Sequence, residues 1–137
     1  MAKRSTLNRL PPFVALTWDM LNSQAYKVLI PSAAKALPFF LGKVKNIAYR
    51  DSRRYMTPFV FPYAEAGTLG FARKTFYRVI CNLVAVGFID PVERGGLRGV
   101  HGSYSRFKLS RRWEQYGMWG FEKKDWTKVI PRCPEWT

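Results

Sequence analysis

The chain has 137 residues, one histidine, and 23 Lys+Arg against 9 Asp+Glu. That length suits one domain, and a formal charge of +14 points to a polyanionic partner. Hydrophobic residues at 47% and aromatics at 16% are enough for a packed core and exclude global disorder. No apolar run approaches the roughly 18 residues of a membrane span, and no apolar stretch follows Lys3 and Arg4 as a secretory signal requires. The expectation is a soluble, cytoplasmic chain without a membrane partner.

Residues 1–12 read as a basic, flexible arm carrying Lys3, Arg4, Arg9, Pro11 and Pro12. From Phe13 to Gln24 the pattern predicts a short helix with Thr17 as N-cap and Trp18, Leu21 and Ala25 on one face. A longer helix is predicted from Pro31 to Lys45, where Ala33, Leu37, Phe40, Leu41 and Val44 recur at helical spacing. Pro38 lies inside it and removes a backbone donor, so the helix is expected to kink or restart there. Between residues 43 and 54, Lys43, Lys45, Arg50, Arg53 and Arg54 stand against Asp51 alone, which reads as a basic loop. Phe59-Val60-Phe61 reads as a strand, and Pro62 and Tyr63 open the next helix.

The segment from Tyr63 to Gly87 carries the strongest signal. Ala66 supplies a small residue where two helices cross, and Gly70, four residues on, can take positive φ in a tight turn. Leu69 and Phe71 flank the glycine and are expected to plug the core. Beyond the turn, Phe76, Val79, Ile80, Leu83 and Val84 form one buried stripe. The other face carries Arg73, Lys74, Tyr77, Arg78 and Cys81, a cationic, hydrogen-bonding front of the kind a major groove accepts. By itself this pattern equally describes an amphipathic helix with a solvated basic face.

Gly87 then stands where a helix-ending glycine is expected. Phe88 to Val92 reads as a strand, residues 93–102 as a loop with four glycines and two arginines, and Ser103 to Leu109 as a second, alternating strand. The order helix, turn, helix, strand, glycine-rich basic loop, strand is that of a winged helix. The glycine run is not followed by a helix, which argues against a nucleotide-binding loop.

These residues resemble the winged helix-turn-helix domains of bacterial, plasmid and phage regulators and replication-associated proteins. The resemblance rests on Thr75-Phe-Tyr-Arg78, Leu83-Val-Ala-Val-Gly-Phe-Ile89 and Tyr104-x-x-Phe-x-Leu-Ser-x-x-Trp113. Trp18-Asp-Met-Leu and Pro31-Ser-Ala-Ala-Lys-Ala-Leu are similar to the first helices of helix-turn-helix proteins in mobile elements. The similarity covers residues 13 to 113, and one departure is Ala72, which stands where a Ser or Thr N-cap is usual. The resemblance implies an α+β, mostly helical fold with a small antiparallel sheet, in three parts: the arm 1–12, a winged helix-turn-helix domain 13–116, and an aromatic, basic C-terminal tail 117–137. By position it implies groove contacts from Arg73, Lys74, Thr75, Tyr77 and Arg78, and wing contacts from Arg94 and Arg98.

His101 in the wing reads as a loop residue or minor-groove contact rather than a ligand, and Arg106, Lys43, Lys45 and Arg53 add phosphate contacts. Trp18, Trp113, Tyr104 and Phe107 read as core. Trp119, Trp126 and Trp136 in the tail are expected to pack on the domain or a second subunit rather than stack on single-stranded nucleic acid. Cys81 and Cys133 make no Cys-x-x-Cys pair, and the scattered acids offer no two-metal set. With no acid–base constellation visible, the expectation is a non-catalytic protein without metal or cofactor. The role implied is a double-stranded DNA-binding regulator of transcription or replication on a bacterial mobile element, associated with the nucleoid. Dimerisation is common in that class, although no heptad or interface is visible. Two rival readings stand beside it: an RNA- or single-strand-binding module, and a winged helix used for protein interaction.

Overall fold

A computed structural model describes residues 11–95 and 104–129. They form helices α1 (Trp18–Leu21), α2 (Gln24–Lys27), α3 (Pro31–Leu41), α4 (Tyr63–Thr68) and α5 (Arg73–Val86), with strands β1 (Phe59–Val60), β2 (Ile89–Glu93) and β3 (Arg106–Leu109). The architecture is α+β, mostly helical, with one small antiparallel sheet in the order β1-β3-β2. β3 is central, pairing Phe59 with Phe107 on one side and Ile89 with Leu109 on the other. Pro91 is tolerated in β2 because that strand is an edge, and the pairing slips by one residue between Pro91 and Glu93.

The single helix expected over 13–24 is two four-residue helices. Thr17 does cap the first, its Oγ1 accepting from the Met20 amide at 3.2 Å. Ser23 then ends that helix and starts the next: its hydroxyl donates to the Met20 carbonyl and its oxygen accepts from the Tyr26 amide. Side-chain oxygens that compete for backbone groups in this way favour caps over helix interiors. The restart rotates the buried face, so Met20 and Ala25 face the core and Trp18 is 76% exposed.

α3 runs unbroken through Pro38, where a restart was one of two expected outcomes, and ends at Leu41 rather than Lys45. The last turn tightens into a 3-10 helix at Gly42–Val44, and Ala33, Leu37, Phe40, Leu41 and Val44 are buried as their spacing demands. Another 3-10 turn, Ser52–Tyr55, lies within the basic stretch expected to be loop.

Phe40 is the hub of the core. Its ring lies 4.6 Å from Phe61, 6.0 Å from Phe76, 6.1 Å from Phe59 and 6.2 Å from Phe107. Such offset and edge-on aromatic pairs add roughly 0.5–1.5 kcal/mol each beyond the area they bury. One ring therefore ties α3, β1, α5 and β3 together. The tail joins this core through Trp126, which is buried 5.1 Å from the Phe107 ring.

Candidate nucleic-acid interface

The polar face of α5 is set by what its other face must bury. Phe76, Val79, Ile80, Leu83, Val84 and Val86 are all buried, which turns Arg73, Lys74 and Arg78 to solvent. The orientation is fixed at the back by Asn82, whose Oδ1 accepts the Ile30 amide at 2.9 Å just before α3 begins. At the front, Gly70 has φ +96°, and the Phe71 amide returns to the Ala66 carbonyl at 3.0 Å. The turn between α4 and α5 therefore closes as the Ala66/Gly70 pair predicts. No side chain caps α5, because Ala72 occupies the N-cap position.

Beside Arg73 and Lys74, Thr75 and Tyr77 are half-buried on the same helix. The Arg73 guanidinium sits 4.8 Å from the Tyr63 ring centroid, held by a cation–π contact from the preceding helix. Burial pushes the Tyr63 phenol above its ordinary range, with Arg73 pulling the other way. The Tyr77 phenol is raised by desolvation and by neighbouring Cys81, opposed by Arg94. Burial likewise pushes the Cys81 thiol up, against a lowering hydrogen bond from Tyr77. A thiol held in its protonated form here is a packing residue.

The remaining cations sort into free and engaged. Lys45, Lys74, Arg78 and Arg106 are exposed, with no ion pair among the described residues. Lys43 is engaged: it pairs with Glu65 and lies 4.4 Å from the Phe61 ring. Arg53 forms a two-pronged pair with Asp51, at 2.9 and 2.6 Å, while remaining largely exposed. That contact holds the Asp51 carboxyl below the usual carboxylate range.

Arg94, expected at the loop tip, is instead turned back onto the tail. It donates to the carbonyls of Trp126 and Val129, both at 3.3 Å, and stacks 5.2 Å from the Trp126 ring. The buried indole gives the guanidinium a better environment than open solvent would. Arg98 and His101 lie outside the described residues. Tyr104, expected in the core, is exposed, whereas Phe107 is buried and Trp113 stacks 5.7 Å from Phe88 while half-buried. Of the tail tryptophans, Trp126 is buried, Trp119 is fully exposed, and Trp136 lies outside the described residues.

One cation at the front was missed by the sequence reading. Lys35, exposed on α3, places its Nζ 4.9 Å from the Phe71 ring and beside Gly70, at the turn into α5. Its outward position between buried Ala33 and Leu37 was available as a signal, but its proximity to Gly70 depends on how α3 crosses the later helices. Together Lys35, Arg73, Lys74 and Arg78 line the turn and first two turns of α5. Among the described residues no group of three or more His, Cys, Asp or Glu could hold a metal ion, and no helix is long and apolar enough to cross a membrane. Comparison with protein-family models, curated proteins and solved structures finds no match.

Proposed function

We propose that this chain is a winged helix-turn-helix protein that binds double-stranded DNA without catalysis, laying the start of α5 into the major groove. The observation that carries the reading is the pairing of an exposed Arg73, Lys74 and Arg78 front with a wholly buried back on the helix that follows the Gly70 turn. The element order α3, β1, α4, α5, β2, β3, with β3 between the other strands, supports a winged helix, in which the wing would fall to the residues that join β2 to β3. Lys45 and Arg106 then serve as phosphate contacts, which position a protein without reading sequence. Regulation of transcription or replication on a bacterial mobile element, in the cytoplasm at the nucleoid, follows from the family resemblance. So does a homodimeric state.

The test is electrophoretic mobility shift with a duplex, a single strand and an RNA hairpin at two salt concentrations. Duplex preference with a steep loss of affinity in salt supports the reading. Preference for the single strand favours the RNA- or single-strand-binding rival, for which the fully exposed Trp119 is a ready stacking surface.

A further inference from the structure

Among the described residues, Arg54 is buried and the Arg112 side chain is 10% exposed, and the two are treated very differently. Arg112 donates to the Asp90 carboxylate at 2.6 Å and to the carbonyls of Val84, Ile89 and Glu122 at 2.8 to 3.1 Å. Arg54 is 7% exposed, and its one side-chain hydrogen bond among the described residues is to the Tyr49 carbonyl at 3.3 Å. Its guanidinium also lies 4.8 Å from the Tyr49 ring and 5.8 Å from the Tyr55 ring. No carboxylate pairs with it among the described residues. A guanidinium carries five donors, and a charge taken out of water is normally paired with an opposite one. Arg54 has its donors largely unspent and its charge unmatched.

Arg54 lines a cavity of about 340 Å³, within the roughly 300–1,000 Å³ of small-molecule sites. Tyr49, Tyr55 and Trp113 supply aromatic wall, and Arg50 supplies a further cation, while Arg111 on the same wall is paired with Glu114. The acids on the same wall do not neutralise Arg54. Glu114 is occupied by Arg111 at 2.9 Å, and Asp19 is exposed with no ion pair among the described residues. None of the lining residues belongs to α5, so the cavity is separate from the face argued to meet DNA.

We infer that this cavity is a binding site for a planar organic anion, a ring bearing a carboxylate or a phosphate. The Arg54 fork would take the anionic group in two parallel hydrogen bonds, the geometry for which guanidinium is suited. The ring would lie among Tyr49, Tyr55 and Trp113. Arg50, exposed and without an ion pair among the described residues, assists from the periphery.

Thermal unfolding of the full chain tests this with three probes, phenyl phosphate, benzoate and inorganic phosphate, each against KCl of equal ionic strength. A ring-bearing anion at ten times its Kd is expected to raise Tm by roughly 4–6 °C. The two ring probes distinguish phosphate from carboxylate as the recognised group. Arg54→Met is expected to unfold no earlier than the wild type without a probe, since methionine fills the space and leaves no buried charge, and to lose the probe response. Arg54→Lys keeps the charge without the fork and is expected to bind at least tenfold more weakly, so the test survives if the methionine variant does not fold. Arg50→Ala should weaken binding by a smaller factor. The inference is overturned by a wild-type response no larger than that to KCl, by an equal response to inorganic phosphate, or by undiminished binding in Arg54→Lys.

Discussion

The main-chain amide of Trp113 donates to the carbonyl of Gly87 at 3.0 Å, and the two backbones pass so closely that a Cβ on Gly87 would lie 2.6 Å from the Trp113 nitrogen. Gly87 also has φ +98° and ends α5, with its own amide and that of Phe88 both returning to the Leu83 carbonyl. Two requirements therefore fall on one residue: a left-handed backbone and no side chain.

Gly87→Ala is expected to cost more than about 3 kcal/mol, combining roughly 1–2 kcal/mol of left-handed strain with a backbone clash that no rotamer relieves. Gly67→Ala is the control. Gly67 lies within α4 with nothing within 4 Å of its would-be Cβ, so alanine should stabilise by about 0.5–1 kcal/mol. Urea unfolding of both variants measures the contrast, and similar midpoints would contradict it.

Arg112 is a structural cation. Its pair with Asp90 has side-chain exposures of 10% and 13%. Without Arg112, Asp90 keeps only the longer contact to Lys124 at 3.6 Å, and the carbonyls of Val84 and Ile89 lose their donor, so Arg112→Ala should lose about 3–5 kcal/mol. Buried pairs are weakly screened, so this loss should be nearly the same in low and high salt when followed by denaturation.

Trp126 makes residues 117–129 a working part of the core. Trp126→Ala is expected to cost about 3–5 kcal/mol, while Trp119→Ala, at a fully exposed site, should stay within about 0.5 kcal/mol. Ending the chain at Tyr116 should destabilise at least as much as Trp126→Ala. Calorimetry on the three variants would reveal a dispensable tail if the truncated chain melted like the full one.

Base reading and phosphate contact should separate by residue. Lys74→Ala or Arg78→Ala should each cost about 1–3 kcal/mol on a preferred duplex and relax preference there. Lys45→Ala or Arg106→Ala should weaken all duplexes alike. Arg94, Arg111 and Arg112 are engaged in the protein, and about five of the exposed Lys35, Lys45, Arg73, Lys74, Arg78 and Arg106 are expected to reach phosphates. At ~0.9 per phosphate, log K against log salt should then slope near −4 to −5. An Arg78 variant with unaltered preference would remove α5 from the interface.

Cys81 should be slow to alkylate. Its thiol is raised by burial, and only the thiolate reacts. In a Cys133→Ser background, the rate with iodoacetamide should stay low at neutral pH and rise through a midpoint above that of a free thiol. A fast reaction at pH 7 would mean that Tyr77 and the tail do not cover it.

The parts of this fold that were legible in the sequence are those with a local cause. Phe76, Val79, Ile80, Leu83 and Val84 declare a helix face by spacing alone, and Gly70 and Gly87 mark turns that only positive φ can make. Trp18 was misplaced because a single hydroxyl, that of Ser23, divides one helix into two. The partners of the cations were out of reach for another reason. Arg94 meets Trp126 across 32 residues, Arg112 meets Asp90 across 22, and Lys43 meets Glu65 across 22. Charge composition gives the number of cations, but only the packed chain decides which are spent inside. Lys35 joined the cationic front beside Gly70, and Arg94, expected as a wing contact, turned to Trp126, for that reason.

The central place of β3 has a consequence for how the chain is made. β1 and β2 have no hydrogen bonds to each other; both wait for Arg106–Leu109, and Phe59 must find Phe107 at a sequence separation of 48. Such non-local pairing requires the entropy of loop closure to be lost before the contacts can offset it, which slows folding relative to a helical bundle. During synthesis from the N-terminus, α3 to α5 emerge with Phe40 and Phe59 lacking the Phe107 ring and the strands unpaired. A nascent chain stopped before residue 106 should therefore be sticky and protease-sensitive. Protection should arrive in one step as the last strand slots between the first two.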